Sequence, residues 1–330
     1  MSFLAKLASG HPVILPPAYA APFDALGYLL DERDDALSFS NTLNPHDPIF
    51  SGHYPHFAIF PGVLIYEAFS QAIRYYCEKQ GNDNAQGGRD SVQRVSRIKT
   101  LRFLKSLHPG DSYTVTIRRV QTHLDGSTEF LAKCESGNAQ VATASLLARP
   151  DFTPAPAEFP SIESQSTYLP SAENLMQLQA VLPQRYPMLL VDRTLDLQAG
   201  RSVIAQKNIS ISEPCYRYCQ TVRGADDLAY PSSLIIESFS QAVGLLLSSV
   251  WDMESAKQDK IVAFGAFQDI VIYGSAYPGD SIVHRVELEY ANATSAMFCG
   301  HSYVNGVPLL SYKRLIGVVL PKAESAGARL

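Results

Sequence analysis

The chain has 330 residues, 46% of them hydrophobic and 18% charged, with a formal net charge of −5. This length predicts about two domains of roughly 150 residues each. The acidic balance argues against nucleic acid as a main partner, and no apolar run reaches the roughly 18 residues of a membrane-spanning helix. Gly10, His11 and Pro12 interrupt any secretory signal, so we expect a cytoplasmic protein with no membrane contact.

The cysteines and histidines indicate reduced thiols and no metal site. The five cysteines are odd in number and form no Cys-x-x-Cys motif, which is typical of a cytosolic protein. Cys215 and Cys219 have no second pair of ligands nearby, and the eight histidines are scattered. We therefore expect neither a metal nor another cofactor.

After an irregular leader, the first half of the chain predicts a helix wrapped by an antiparallel sheet. Two short strands, 28–31 and 37–40, flank a charged turn. A Gly/Pro-rich loop follows, and Pro61-Gly62 opens a helix of about 61–80, because proline is favoured at the first helical position. Beyond the helix, turn residues separate four further strand-like runs, 92–104, 112–122, 128–135 and 139–148.

Three residues of this region carry groups suited to proton transfer beside a carbonyl. His53 lies in the loop, Gly62 lies at the helix start with its free backbone N–H groups, and Glu67 lies on an apolar stretch of the helix. A carboxyl group in such surroundings is either paired or protonated. A base, a donor to a developing negative charge and a neutral acid together predict acid–base chemistry on a carbonyl compound.

The second half of the chain repeats the first. Pro231 to Gln241 aligns with Pro61 to Gln71, which places Glu237 on Glu67, and a Pro-Gly-Asp turn recurs; the two offsets are 170 and 169 residues. The Pro- and Ser-rich stretch 150–171 is predicted to be a linker. The domains expected are therefore an N-terminal repeat, 1–149, and a C-terminal repeat, 172–330.

The two copies differ at the positions with chemical potential. Cys219 stands where the first copy has His53, and Ser232 stands where it has Gly62. The second copy also has an opening segment, Leu182 to Arg193, that the first shows only in part. The second copy has therefore lost its base.

Both repeats resemble the 3-hydroxyacyl-[acyl carrier protein] dehydratases of fatty-acid synthesis, which have the hotdog fold. The resemblance rests on Gly52-His53-Tyr54-Pro55, Pro61-Gly62-Val63-Leu64 and Glu67 in the first repeat, and on Leu182-Pro183, Arg185-Tyr186-Pro187 and Leu234 to Glu237 in the second. It implies an α+β double hotdog, in which two antiparallel sheets each wrap a long central helix and form an intramolecular pseudo-dimer. Since one subunit of such dimers gives the His and its partner the Glu, it also implies a site across the two repeats.

Carried onto this sequence, the resemblance implies dehydration of a 3-hydroxyacyl thioester to the trans-2-enoyl thioester, in fatty-acid, polyketide or polyene synthesis. His53 would be the base, Glu237 the acid and Gly62 the donor to the thioester oxygen. Tyr54, Phe60, Pro61 and Val63 would contact substrate, and Glu67 with Cys219 would form a vestigial second site. The substrate would be carried by acyl carrier protein or CoA.

Other interpretations stay open at this point. Hotdog thioesterases share the fold and a helix carboxylate, and the lost base suits a non-catalytic acyl-binding or partner subunit. Association as a homodimer, or with a partner dehydratase or synthase, is also open. Basic residues near the first repeat's strands could meet an acidic carrier protein or merely solubilise the strands: Arg94, Arg97, Lys99, Arg102, Lys105, Arg118 and Arg119.

Overall fold

The computed structural model describes residues 25–83, 93–160, 171–217, 225–251 and 260–321. Within these ranges, the first half contains two helices and six strands: β1 (Tyr28–Arg33), β2 (Ala36–Thr42), α1 (Pro48–His53), α2 (Gly62–Asp83), β3 (Arg94–Phe103), β4 (Ser112–Thr122), β5 (Thr128–Ser136) and β6 (Ala139–Arg149). The second half contains the same number of each: α3 (Ser171–Val181), β7 (Arg193–Gln198), β8 (Ser202–Asn208), α4 (Ser232–Leu247), β9 (Lys260–Ile272), β10 (Ser281–Ala291), β11 (Ser295–Val304) and β12 (Val307–Pro321). Single 3₁₀ turns lie at Pro214–Tyr216 and Ala225–Leu228.

The strands form one antiparallel sheet in the order β1-β2-β4-β5-β6-β3-β9-β12-β11-β10-β8-β7. This order reads the same from either edge when each first-half strand is exchanged for its second-half counterpart, so the halves are related by a pseudo-twofold axis. The axis passes between β3 and β9, where Ile98 pairs with Ile270 and Leu101 with Phe267. The double hotdog architecture is as predicted, but the two expected sheets are one continuous sheet.

The helices α2 and α4 lie against this sheet and contact each other. Nearly every side chain of α4 is buried, including Ile236, Phe239 and Val243. A helix that is apolar all round is stable only when it is covered on every side, and here the sheet and α2 provide that cover. The contact between α2 and α4 brings residues of one repeat beside residues of the other.

The duplicated Pro-Gly-Asp turn has the same conformation in both halves. Gly110 and Gly279 both have positive φ, at 85° and 99°, which glycine adopts without steric cost. The Asp111 carboxylate accepts a hydrogen bond from His108 N at 2.8 Å, and Asp280 accepts one from Tyr277 N at the same distance. The local chemistry of the repeat is therefore preserved as well as its spacing.

Most elements of the first half lie where the sequence predicts them, and one finding in each half differs from expectation. His53 was expected in a loop, and this is wrong, because it is the last residue of the short helix α1. Helix α3 was not predicted, since its start falls at the end of the presumed linker. Residues 150–160 of that linker contain neither helix nor strand. Within the described ranges, no helix is long and apolar enough to cross a membrane.

Candidate active site

The short helix α1 holds His53 in a buried position. Pro48 stands at its start, and the Asp47 carboxylate caps it by accepting a hydrogen bond from Ile49 N at 2.9 Å. The His53 ring is in contact with the carbonyl oxygen of Ile59, 3.1 Å from Nδ1. Because a carbonyl only accepts, Nδ1 carries the proton and Nε2 is left as the basic nitrogen. Burial lowers the pKa of His53 to about 4, so the ring is neutral near pH 7.

Gly62 lies at the start of α2 in the same pocket as His53. A Cβ at this position would meet the Phe103 ring at 2.9 Å, so only glycine fits beside that ring. The first N–H groups of a helix have no partner within the helix, and the helix dipole favours negative charge there. The backbone at Gly62 can therefore stabilise an oxygen that becomes negative.

Glu237 comes from the second repeat and lines the same pocket as His53 and Gly62. Its carboxyl group is buried, and its Oε1 accepts a hydrogen bond from Gln241 Nε2 at 3.0 Å. Burial raises the pKa of Glu237 to about 7, and the Gln241 bond opposes that shift only in part. A neutral base and an acid that keeps its proton near neutral pH thus face one cavity, from different halves of the chain.

The opening segment that only the second repeat has complete lies between these two groups. On one side, Arg185 N donates to Gly52 O at 2.7 Å, and a Cβ on Gly52 would meet Pro187 at 2.8 Å. On the other side, Gln241 accepts from Leu190 N at 2.9 Å and donates to the carbonyl oxygen of Met188. The segment therefore connects helix α1, which carries His53, to helix α4, which carries Glu237, and fixes their relative position.

A model of the FabA-like domain matches residues 36–145 and 182–311, one match in each half. The chain belongs to the FabA-like family. Among curated proteins, the 3-hydroxyacyl-[acyl-carrier-protein] dehydratase FabZ of Nitratiruptor sp. is 36% identical over 135 residues, which cover 40% of this chain and 88% of that one. The FabZ of Haemophilus ducreyi is 31% identical over 146 residues, which cover 44% of this chain and 91% of that one.

Solved structures share the fold over almost the whole FabA-like chain. The dehydratase domain of PpsC from Mycobacterium tuberculosis, in complex with C12:1-CoA, has a TM-score of 0.56 and 17% identity and covers 90% of this chain and 98% of its own. The dehydratase domain of RzxB from Pseudomonas fluorescens has a TM-score of 0.56 and 10% identity, with coverages of 90% and 99%. Each FabZ therefore corresponds in length to one half of this chain, and each dehydratase domain to both halves.

The pseudo-twofold axis generates a second pocket around Glu67. Here Glu67 Oε2 accepts a hydrogen bond from Ser233 Oγ at 2.6 Å, and Oε1 accepts one from Gln71 Nε2 at 3.1 Å. Burial raises the pKa of Glu67, so this carboxyl group also favours its protonated form. Ser232, which replaces glycine at the helix start, bonds to the Tyr66 hydroxyl at 2.9 Å. The counterpart of His53 in the second repeat is Cys219, which lies outside the described residues.

The second pocket has a charged residue at a position where the first pocket has an aromatic one. Arg94 corresponds by the repeat offset to Phe264 of the first pocket and forms a two-pronged ion pair with Asp226, at 2.8 and 3.1 Å. The Arg94 guanidinium also stacks on Phe152, 4.9 Å from the ring centre. An acyl chain would have to displace this ion pair, so the second pocket is poorly suited to an apolar ligand.

The predicted substrate-contacting residues of the first repeat divide into two groups. Tyr54, Phe60 and Val63 line the pocket with His53. Pro61 is not among the lining residues; its carbonyl accepts from Leu64 N at 3.0 Å and completes the first turn of α2. The Tyr54 hydroxyl donates to the carbonyl oxygen of Val262 in the second repeat at 2.7 Å, so its hydrogen is already used.

Several pocket residues escaped the sequence reasoning, among them three polar ones: Ser106, Gln184 and Ser240. Gln184 and Ser240, both from the second repeat, line the cavity with Glu237. Ser240 could have been found from its position one turn after Glu237 on the same helix. Gln184 follows Leu182-Pro183 in a segment that carries the family resemblance, but nothing in its spacing points to the pocket.

Proposed function

We propose that this FabA-like chain dehydrates 3-hydroxyacyl thioesters to trans-2-enoyl thioesters. One observation carries the proposal: a neutral histidine, a helix N-terminus and a carboxyl group with a raised pKa line one pocket. The names of the FabZ relatives and of the dehydratase domains with the same fold point to the same reaction. Elimination of water beside a thioester requires a base and an acid at once, and a pair with separated pKa values serves both roles.

In the proposed reaction His53 Nε2 removes the proton from the carbon next to the thioester carbonyl. Negative charge develops on the carbonyl oxygen, where the backbone N–H at Gly62 donates a hydrogen bond. Protonated Glu237 gives its proton to the 3-hydroxyl group, the carbon–oxygen bond breaks and water leaves. The electrons of the C–H bond form the new double bond. Transfer of a proton from the imidazolium of His53 to the carboxylate of Glu237, directly or through solvent, restores both groups.

The experiment supplies the purified chain with 3-hydroxyacyl and trans-2-enoyl thioesters and follows enoyl absorbance and free thiol. We expect interconversion of the two thioesters without thiol release, and loss of that activity in His53→Ala. Thiol release without interconversion would establish a thioesterase instead. Acyl-thioester binding without any turnover would establish a non-catalytic acyl-binding subunit.

We further infer that the acyl group is delivered by acyl carrier protein rather than CoA. Lys105 lines the pocket and Arg102 is exposed nearby, and neither has an ion-pair partner among the described residues. By contrast, three neighbouring cations are paired within the chain, with Asp226, Asp269 and Glu129: Arg94, Arg97 and Lys99. A free basic patch at the site can attract an acidic carrier.

Reversal of both charges tests this inference. We expect Arg102→Glu with Lys105→Glu to raise KM for a carrier-linked substrate and to leave KM for a small synthetic thioester unchanged. Arg118→Glu, an exposed cation near the far end of β4, is the matched control and should alter neither KM. An equal effect on both substrates would show that the patch acts on the pocket and not on the carrier.

A further inference from the structure

Three polar side chains of the first pocket are already hydrogen-bonded within the protein. The Tyr54 hydroxyl donates to Val262 O, and Ser240 Oγ donates to Ile236 O at 2.8 Å. Glu237 Oε1 accepts from Gln241. Each of these groups therefore already has a partner within the protein.

Gln184 differs from these three side chains. Its side chain is only 7% exposed, and among the described residues its Oε1 is the buried oxygen in this pocket that has no hydrogen-bond partner. A buried acceptor without a partner is costly and rare in folded proteins. Such an atom in the wall of a cavity is available to accept a hydrogen bond from a ligand.

The backbone around Gln184 is held firmly, so the oxygen cannot find a partner by a simple shift of the loop. The Arg185 guanidinium donates to the carbonyl oxygens of Leu182 and Gln184, both at 2.7 Å, and to that of Gln179 at 2.9 Å. The Arg185 N–H is bonded to Gly52 O, beside His53. These bonds hold Gln184 next to helix α1, which carries His53, before substrate binds.

We propose that Gln184 Oε1 accepts a hydrogen bond from the 3-hydroxyl group of the substrate. This inference rests on the proposed dehydration. The hydroxyl oxygen receives a proton from Glu237, whose Oε1 already accepts from Gln241, and the hydroxyl hydrogen needs an acceptor of its own, which the unpartnered Gln184 Oε1 provides. Gln184 is therefore a substrate-binding residue that orients the leaving oxygen towards Glu237.

The depth of Gln184 in the pocket favours the 3-hydroxyl group as its donor over the N–H groups of the arm that links the thioester to its carrier. Gln184 is as deeply buried as His53 and Glu237, whose exposures are 8% and 5%. Lys105 and Phe264, which also line the pocket, are only half-buried and lie nearer to solvent. The amide N–H groups of a carrier arm lie several bonds outside the thioester sulfur, so they are closer to these outer residues than to Gln184.

During the reaction the bond to Gln184 is kept while others change. The hydroxyl hydrogen stays on its oxygen, the proton of Glu237 adds to it, and the resulting water still donates to Gln184 Oε1. The proton from the carbon next to the carbonyl goes to His53. No oxidant or cofactor enters the balance.

The test measures binding in a His53→Ala background, where turnover is blocked. The two ligands are a 3-hydroxyacyl thioester and the saturated acyl thioester of the same length, which lacks the hydroxyl. We expect Gln184→Leu to weaken binding of the hydroxyacyl ligand by about fivefold, the loss typical of one neutral hydrogen bond, and to leave the saturated ligand unchanged. Equal weakening of both ligands, or of neither, would overturn the proposal.

Gln71→Leu is the matched control. Gln71 Oε1 is likewise buried without a partner among the described residues, but Gln71 lies in the other repeat and outside this pocket. Its substitution should leave the preference for the hydroxyl intact. A change of that preference in Gln71→Leu equal to the change in Gln184→Leu would show an indirect effect and reject the assignment.

The active single variant Gln184→Leu provides a second measurement if the double variant does not fold. Its KM should rise for the hydroxyacyl thioester and stay unchanged for the enoyl thioester, which has no hydroxyl group. Absence of turnover in the unsubstituted chain would reject the proposed function itself. Normal turnover with an unchanged KM in Gln184→Leu would reject only the role of Gln184.

Discussion

The pH dependence of kcat/KM follows from the two buried groups that face the same pocket. The reactive form has neutral His53, whose pKa is lowered to about 4, and protonated Glu237, whose pKa is raised to about 7. Activity should therefore rise as pH increases through the pKa of His53 and fall as pH increases through that of Glu237. The profile of kcat/KM reports these groups in the free enzyme.

The two values set the size of the effect. Near pH 5.5 about 97% of each group is in its reactive form, so kcat/KM is close to its maximum. At pH 8 only about a tenth of Glu237 keeps its proton, so kcat/KM should be roughly tenfold lower than the maximum. At pH 4 half of His53 is protonated, and kcat/KM should be about half of the maximum.

The assay records initial rates of enoyl formation from a 3-hydroxyacyl thioester between pH 4 and pH 9. Samples held at each extreme are returned to pH 6, which separates titration from irreversible unfolding. Glu237→Gln should lower kcat/KM by about 10²- to 10⁴-fold, the usual contribution of a general acid, and should remove the alkaline limb. Glu67→Gln should keep both the rate and the limb, because Glu67 lies in the second pocket.

Two results would refute this reasoning. A profile that stays flat to pH 9 would mean that no group with the expected pKa controls the reaction. Loss of the alkaline limb in Glu67→Gln, with the limb retained in Glu237→Gln, would show that the acid is Glu67 of the first repeat and not Glu237.

Two further predictions concern the first repeat. Gly62→Ala should lower kcat/KM by about 10²- to 10³-fold, because a Cβ there meets Phe103 at 2.9 Å and shifts the N–H donor. Addition of Phe103→Leu to this variant should recover part of the rate. A double variant with no recovery would contradict the steric cause. Tyr54→Phe should cost about 1 kcal/mol of unfolding free energy, measured by denaturant, and also lower kcat/KM, because it removes the bond to Val262. Tyr76→Phe, which removes a similar bond to the backbone of Asp34, should cost stability alone; equal loss of activity in both variants would contradict a specific role for Tyr54.

The duplicated fold could be predicted because its signals are local or periodic. Proline before Gly62, alternating apolar residues in β4 and the two Pro-Gly-Asp turns each specify a short stretch, and the repeat then relates one half to the other. Continuity of the sheet could not be predicted in the same way. It depends on the pairing of β3 with β9, whose partners lie far apart in the chain and form no local pattern.

The site could be predicted where a residue type limits the chemistry. His53 was singled out because few side chains serve as a base, and Glu237 because the repeat and the family resemblance place it across from His53; the structure brings both to one pocket. Gln184 and the hydroxyl bond of Tyr54 were missed, since a carboxamide or a phenol has many ordinary roles. Their significance comes only from their surroundings. Gln184 faces a cavity, and the Tyr54 hydroxyl meets a backbone carbonyl of the other repeat.

The asymmetry of the two pockets follows from what a single site requires of each repeat. The proposed site uses His53 and the helix start of the first repeat, and Glu237, Gln241 and the opening segment of the second. In the second repeat Ser232 stands at the counterpart of Gly62 and its hydroxyl bonds to that of Tyr66, and Ile272 stands at the counterpart of Phe103 by the offset of 169 residues. Gln71, the counterpart of Gln241, keeps its bond to Glu67 but leaves its Oε1 without a partner among the described residues.

Glu67 persists in the second pocket for a reason that does not require catalysis. Its carboxyl group accepts from both Ser233 and Gln71, so it links α2 to α4 across the pseudo-twofold axis. Removal of the carboxyl would leave a buried serine hydroxyl without its partner, which is costly in the interior. Glu67→Ala should therefore destabilise the fold more than Glu67→Gln, whose amide oxygen can still accept from Ser233. In the proposed mechanism the same residue type is thus an acid in one pocket and a structural link in the other, and within the described residues only the first pocket has a histidine beside its carboxyl group.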